Sequence, residues 1–468
     1  MTDTQPPTRE TGPSPDFSSE RGEKPGPERA DVLGGDFGSF DDHHPPAQEL
    51  LDDCVHCGFC LPTCPTYALW GEEMDSPRGR IYLMQMAENG EIPLDGAFTT
   101  HIDRCLGCMA CVTACPSGVQ YDRLLEATRP QIERHVARTR SDRWFREAIF
   151  TLFPYRRRLR AASVGGALYQ KLRPKSMDKL LARVPKRFER LVAMESLLPP
   201  VSVRDAFART PAHTPAVGTR RGRVGMLTGC VQDVFFHQVN LATVRVLAAE
   251  GYDVVAPREQ GCCGALGLHA GREEESVERA KALIAVFERA GVDVIAVNVA
   301  GCGSSMKEYG ELLADEPGWA ERGAAFSAKV RDVSEVLADA LEDSRAPRHR
   351  VEATVVYHDA CHLGHAQKIR TQPREVLRSI PGVTLAELPE AEICCGSAGI
   401  YNMLQPEAAG DLGRRKADNI RGTGADLLVT ANPGCLLQIR KYLEGELPML
   451  HPVQLLDASI RGVRPPGM

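Results

Sequence analysis

Residues 54–65 read CVHCGFCLPTCP and residues 105–116 read CLGCMACVTACP. Each run spaces three thiols at intervals of three, adds a fourth, and follows it directly with proline. Three thiolates at that pitch on one curling loop hold three corners of a cubane iron–sulfur cluster. The fourth, redirected at Cys-Pro, reaches a second cluster. The spacing assigns Cys54, Cys57, Cys60 and Cys115 to one [4Fe-4S] cluster and Cys105, Cys108, Cys111 and Cys64 to the other. Structural zinc also takes four thiolates, but usually as two separated C-x-x-C pairs, so three evenly spaced thiols argue against it.

Eight further cysteines stand in a different pattern, each half containing two adjacent thiols before a glycine. The first set is Cys230, Cys262, Cys263 and Cys302; the second is Cys361, Cys394, Cys395 and Cys435. They are offset by 131, 132, 132 and 133 residues, so the chain carries an internal repeat. Cys302 and Cys435 each follow a glycine and precede a tyrosine by seven positions. Four thiols converging from separate loops can hold an iron–sulfur cluster, a zinc ion or a reactive redox pair. Gly264 and Gly396 fit a tight turn that aims both neighbouring thiols at one centre.

The elements that must position these thiols are legible in outline. Strand-like runs lead into the first cysteine of each copy (GRVGMLTGC, ATVVYHDAC) and into the last (VDVIAVNVAGC, ADLLVTANPGC). Helical segments, EEESVERAKALIAVFERAG and PEAAGDLGRRKADNIRGTG, fall between them. Alternating strand and helix predicts parallel βαβ units, whose sites lie beyond the carboxyl ends of the strands. The fold class is α+β and multidomain: a helical two-cluster ferredoxin-type domain followed by two repeated α/β cysteine-rich modules. Boundaries are expected at 1–47 (a proline-rich, polar, disordered tail), 48–128 (ferredoxin-type), 129–219 (basic helical connection, closing in a loop-like run), 220–345 (first module) and 346–468 (second module).

Composition bounds the function. The 468 residues are 43% hydrophobic and 25% charged, as in soluble globular proteins. Apolar runs fall short of the about 20 residues a membrane span needs, and the N-terminus lacks a signal pattern, so a cytoplasmic protein is expected. Thiols at this density in a reducing compartment are metal ligands rather than disulfides. The net charge of −6 conceals a basic stretch, with 18 Lys/Arg against five Asp/Glu between Arg129 and Arg190. Within it, WFREAIFTLFPYRRRLR mixes Trp144, Phe145, Phe150 and Phe153 with arginines. One reading is peripheral docking on the inner face of the cell membrane, near a quinone pool. The other is a helix packed on its own domains or an acidic partner. No nucleic-acid-binding motif accompanies the charge. His358, His362 and His365 flank Cys361, where they can tune or ligate a centre, contact a quinone, or simply cap a loop. Neither G-x-G-x-x-G nor G-x-x-x-x-G-K-[ST] occurs, so the residues offer no catalytic site for taking a hydride from a substrate.

The CCG stretches, each with a lone cysteine before and after, resemble the paired cysteine-rich domains of heterodisulfide reductase-like subunits. The full order resembles the iron–sulfur subunits of glycolate oxidase and of anaerobic glycerol-3-phosphate dehydrogenase. DDCVHCGFCLPTCPTY, YHDACHLGHAQKIRTQPREVLRSIPG, EAEICCGSAGIYNMLQPE and NPGCLLQI are most similar to the glycolate oxidase subunit. The resemblance implies an electron-transfer subunit of a glycolate oxidase (glycolate dehydrogenase) complex. A FAD-containing flavoprotein partner would oxidise glycolate to glyoxylate, and electrons would run through the two [4Fe-4S] clusters towards the CCG modules and a quinone or other acceptor. The alternatives are an iron–sulfur subunit of a D-lactate or anaerobic glycerol-3-phosphate dehydrogenase, a thiol/disulfide enzyme of the heterodisulfide reductase type, and a non-enzymatic iron–sulfur regulator. One departure stands out. The wider CCG pattern ends in C-x-x-C, but Ser305 and Gln438 occupy the last position here. Each module offers four thiolates, for a further iron–sulfur cluster or for zinc.

Overall fold

The computed structural model describes residues 38–174, 177 and 189–468. Most of the expected disordered tail lies outside these residues. The last ten residues of that expected tail, 38–47, are ordered in part by one aromatic. Phe40 is buried against Phe98, ring centroids 6.0 Å apart. Asp41 pairs with Arg134 and His135 at 2.8 and 2.6 Å. A single apolar anchor amid polar and proline residues leaves no periodic signal, which is why composition points to disorder here.

The ferredoxin-type part is built from short helices around one core. Ser76 caps the helix Pro77–Glu88 by accepting from Gly79 N, with proline at the first helical position. That helix buries Ile81, Met84 and Ala87 against Phe98 and Ile102 and against Leu124, Leu125 and Ile132 of the helix Tyr121–His135. The two cysteine runs are the loops held over this core.

Two parallel sheets follow. The first contains β1 (His213–Thr214), β2 (Gly222–Met226), β3 (Tyr252–Val255), β4 (Val294–Val297) and β5 (Val330–Asp332), in the order β1-β3-β2-β4-β5. The second contains β6 (Ala353–His358), β7 (Val383–Ala386), β8 (Leu427–Thr430) and β9 (Met449–Leu450), in the order β7-β6-β8-β9. Apart from β1, which runs antiparallel to β3, every pairing is parallel and the two orders are equivalent. The loop-like run before Gly222 therefore contributes an edge strand to the first sheet. Helices cover the faces, so β8 is buried along its whole length. The helices Glu273–Ala290 and Pro406–Arg421 occupy corresponding places in the two copies.

The sheets share one hydrophobic core. Val239, Val246 and Leu247 of the helix His237–Ala249 pack with Val453, Leu455 and Leu456 of the helix Pro452–Arg461. Arg245 and Asp457 close that seam with a two-pronged ion pair at 2.8 and 2.6 Å.

In the basic stretch the helix Arg140–Leu152 turns its apolar face inward. Phe145, Ile149 and Phe150 are buried against Ile400 and Met403, with Phe153 at the edge. Arg160 pairs with Asp233 at 2.7 Å. Of the four aromatics, Trp144 alone remains largely exposed, at 67%. Phe145, Ile149 and Phe150 are thus covered by the protein's own second module.

Candidate iron–sulfur and metal centres

The two ferredoxin-type loops have the same backbone twist. His56 and Gly58 in the first, and Gly107 and Met109 in the second, take left-handed φ values of 52°, 87°, 63° and 60°. The two pairs hold matching places in their motifs, and such alternation curls a loop so that its amides face inward, as in anion-binding nests. Cys54, Cys57, Cys60, Cys111 and Cys115 line one small cleft. Cys115 therefore meets the first run across the sequence. Cys64 is not among the cleft's lining residues; it is buried, 4.0 Å from Arg80 Nη1.

Arg80 is 1% exposed and Asp75 0%, and they face each other at 3.4 Å. Arg104 pairs with Asp75 at 2.9 Å, and His101 Nδ1 lies within hydrogen-bond distance of it, also at 2.9 Å. Sequence reasoning missed this group. Its signal is a charge inside the apolar stripe of Ile81, Met84 and Ala87. Burial alone would raise the Cys105 thiol, but the Arg80 and Arg129 guanidiniums together hold it below its ordinary value. Tyr121 Oη and Gly107 N donate to Cys105 Sγ at 3.5 and 3.4 Å. Cys108 and Cys111 are pushed well up, first by burial and then by neighbouring thiols, among them Cys361 for Cys108 and Cys64 for Cys111. Buried thiols that resist ionisation as a group are relieved by metal, whose positive charge makes the thiolates favourable. The donor set fits iron–sulfur clusters.

The cysteine-rich modules repeat one arrangement. Cys230 and Cys262 Sγ stand 3.6 Å apart, and Cys361 and Cys394 Sγ 3.7 Å apart. The second thiol of each pair, Cys263 or Cys395, contacts the last cysteine, Cys302 or Cys435. All eight follow strand carboxyl ends, as the parallel topology requires. The turn behind each pair has glycine at φ 86° (Gly264) and 87° (Gly396). A Cβ on Gly396 would lie 2.6 Å from the Ala409 carbonyl oxygen. All sixteen cysteines are unpaired thiols.

Where a fifth cysteine would stand, Gln438 is buried and engaged, donating to Ala409 O at 2.7 Å and accepting from Asn402 at 3.1 Å. Ser305 is buried and its hydroxyl has no hydrogen-bond partner among the described residues. The three histidines separate by role. His362 bonds to Gly107 O at 2.8 Å and to Ser304 Oγ at 3.1 Å. His365 bonds to Thr113 Oγ1, between Cys111 and Cys115, at 2.7 Å. His358 lies beside Cys395 and Cys435. Burial and then the Lys416 ammonium hold its pKa well below the usual histidine range. Leu106, Cys108 and Ala110 share an apolar cluster with Cys394, Tyr401, Ala409 and Leu412, with Cys361 at its edge. The second ferredoxin-type loop and the second module thus have a common dry wall.

The model of the 4Fe-4S dicluster domain matches residues 50–119, and that of the cysteine-rich CCG domain matches 224–307 and 355–440. The "Probable glycolate oxidase iron-sulfur subunit" of Bacillus subtilis is 39% identical over 87% of this chain and 93% of its own length. The chain belongs to the glycolate oxidase iron–sulfur subunit family. The Escherichia coli "Glycolate oxidase iron-sulfur subunit" is 34% identical over 88% of this chain and 95% of its own. Even the basic connection matches the model of the glycolate oxidase iron–sulfur subunit linker region, over residues 141–198. "Lactate utilization protein A" of Exiguobacterium is 30% identical over 51% of this chain and 98% of its own. Family membership makes the protein an iron–sulfur subunit of the oxidoreductase class.

Proposed function

We propose that this chain carries single electrons in a complex whose FAD-containing flavoprotein partner oxidises glycolate to glyoxylate. That oxidation releases two electrons and two protons on the partner, and this subunit hands electrons on to a quinone or another acceptor. Cys54, Cys57, Cys60 and Cys115 would hold one [4Fe-4S] cluster, and Cys105, Cys108, Cys111 and Cys64 the other. Cys230, Cys262, Cys263 and Cys302, and Cys361, Cys394, Cys395 and Cys435, would each hold a metal centre. Bound clusters of this kind accept and release one electron at a time.

The observation that carries the reading is the wall shared by Cys108 and Cys394. Close apolar packing there excludes water between two thiol sites, and Arg80 and Arg129 offset negative charge at Cys105. No helix among the described residues is long and apolar enough to cross a membrane. We place the protein in the cytoplasm, with Trp144 and the exposed Arg143, Arg157 and Arg158 left for peripheral contact with the membrane's inner face.

The test is anaerobic co-purification with the flavoprotein, followed by substrate addition. Glycolate is expected to bleach the iron–sulfur absorption of the complex and to leave the isolated chain unchanged. Bleaching by D-lactate or glycerol 3-phosphate but not by glycolate would overturn the substrate. Turnover of a disulfide by the isolated chain would overturn the electron-carrier role.

A further inference from the structure

His358 is the last residue of β6 and is 1% exposed. Neither ring nitrogen has a hydrogen-bond partner among the described residues. An imidazole always carries at least one donor, and when neutral also one lone pair, so a buried ring with both idle is incomplete. One of its nitrogens and the sulfurs of Cys395 and Cys435 all lie within 4.8 Å of one another. Donors gathered that closely are within reach of a single metal ion with bonds of about 2.0 Å to nitrogen and about 2.3 Å to sulfur. The surroundings are incomplete in the same way. Thr430, paired with His358 in the sheet register, has an unpartnered buried hydroxyl, and so does Ser397, two residues after Cys395.

The internal repeat supplies a control. Leu227 precedes Cys230 by three residues, as His358 precedes Cys361. It is 1% exposed and packs in the apolar cluster that contains Cys263, with Cys302 at its edge. The same place in the two copies is therefore filled by hydrocarbon in one and by an unsatisfied imidazole in the other.

We propose that His358 is a ligand of the metal centre in the second cysteine-rich module, which gives that centre mixed thiolate and imidazole coordination while the first has no imidazole at this position. The inference rests on the reading that the modules bind metal. A neutral imidazole leaves a centre less negative than a thiolate would. If the metal is redox-active iron, that raises its reduction potential, as histidine ligation does in other iron–sulfur proteins. If the metal is zinc, His358 and three of the module's four thiolates make a closed four-coordinate set.

The full-length protein, purified anaerobically after ¹⁵N-histidine labelling, is analysed for iron, zinc and sulfide. It is then examined by pulsed EPR for iron and X-ray absorption for zinc. Expected is a histidine nitrogen bound to metal in the wild type, lost in His358→Cys while the metal content is kept. With iron, that variant's midpoint potential shifts downward. Sulfur-only coordination of all metal beyond the two ferredoxin-type clusters would overturn the inference, as would a nitrogen signal that survives in His358→Cys. Metal and sulfide sufficient for those two clusters alone would instead remove the underlying reading, and the inference with it.

Discussion

His362 Nε2 lies 2.8 Å from the carbonyl oxygen of Gly107, joining the loop of Cys105 and Cys108 to the residue after Cys361. A carbonyl only accepts, so the proton sits on Nε2, and Nδ1 accepts from Ser304 Oγ two residues beyond Cys302. Burial, and then the neighbouring His269, lower the pKa of this ring to about 3, so it stays neutral. One imidazole thereby ties together three thiol-bearing segments.

Removing that tie should loosen the cluster loop without unfolding the protein. His362→Leu is expected to speed iron release to a chelator by roughly 10–100-fold, the usual cost of losing a group that orients metal ligands. His362→Gln, whose amide can still donate to Gly107 O, should recover part of the loss. Equal release rates in the wild type and both variants would show that the contact is incidental.

The crossed assignment of the ferredoxin cysteines has its own signature. Cys64→Ser should reproduce the EPR change of Cys105→Ser, and Cys115→Ser that of Cys54→Ser. Each is expected to cost about half of the ferredoxin-type iron. If Cys64→Ser instead matches Cys54→Ser, the fourth thiol of each run serves its own loop.

Gly396 and Gly264 hold the same left-handed turn with unequal room behind it. Gly396→Ala incurs about 1–2 kcal/mol for the backbone conformation alone, plus a clash with the Ala409 backbone at 2.6 Å. Gly264→Ala meets its nearest atom, Ser276 Cα, at 3.3 Å. Denaturant unfolding should therefore rank Gly396→Ala as the more damaging of the two.

His451, which lies outside the thiol sets, carries a pH dependence of its own. Its ring caps the helix Pro452–Arg461 by accepting from Val453 N, and burial lowers its pKa from 6.5 to about 3. The unfolded chain takes up a proton near pH 6.5 that the folded chain refuses. Stability from this group is thus intact above that value and is lost as the pH falls towards 3. Between pH 7 and pH 5 the loss is about 2 kcal/mol. His451→Asn keeps a capping acceptor but cannot titrate, so its urea-unfolding free energy should fall less over that interval by about the same amount.

Thiol spacing and the repeat make the ferredoxin-type region and the two α/β modules legible, because a cysteine run and a parallel strand are both local patterns. Cys230, Cys302, Cys361 and Cys435 lie beyond strand ends for the reason that βαβ topology puts sites there. Partner surfaces were not legible. The period of residues 140–152 shows an apolar face but not that Ile400 and Met403 cover it, which depends on contacts some 250 residues away. Phe40 escaped notice because one anchoring ring has no period at all. The contrast between Leu227 and His358 was available in the repeat itself; only the packing shows that Leu227 is buried in the cluster of Cys263 and that His358 lies beside Cys395.

The seam between the helices His237–Ala249 and Pro452–Arg461 has a consequence for how the protein is made. The first module's helix face is bare until residues 452–461 have been synthesised, so the early half of the chain waits for the late half. A block in docking of that helix should therefore leave the apolar face of His237–Ala249 uncovered and cost the two modules their fold together.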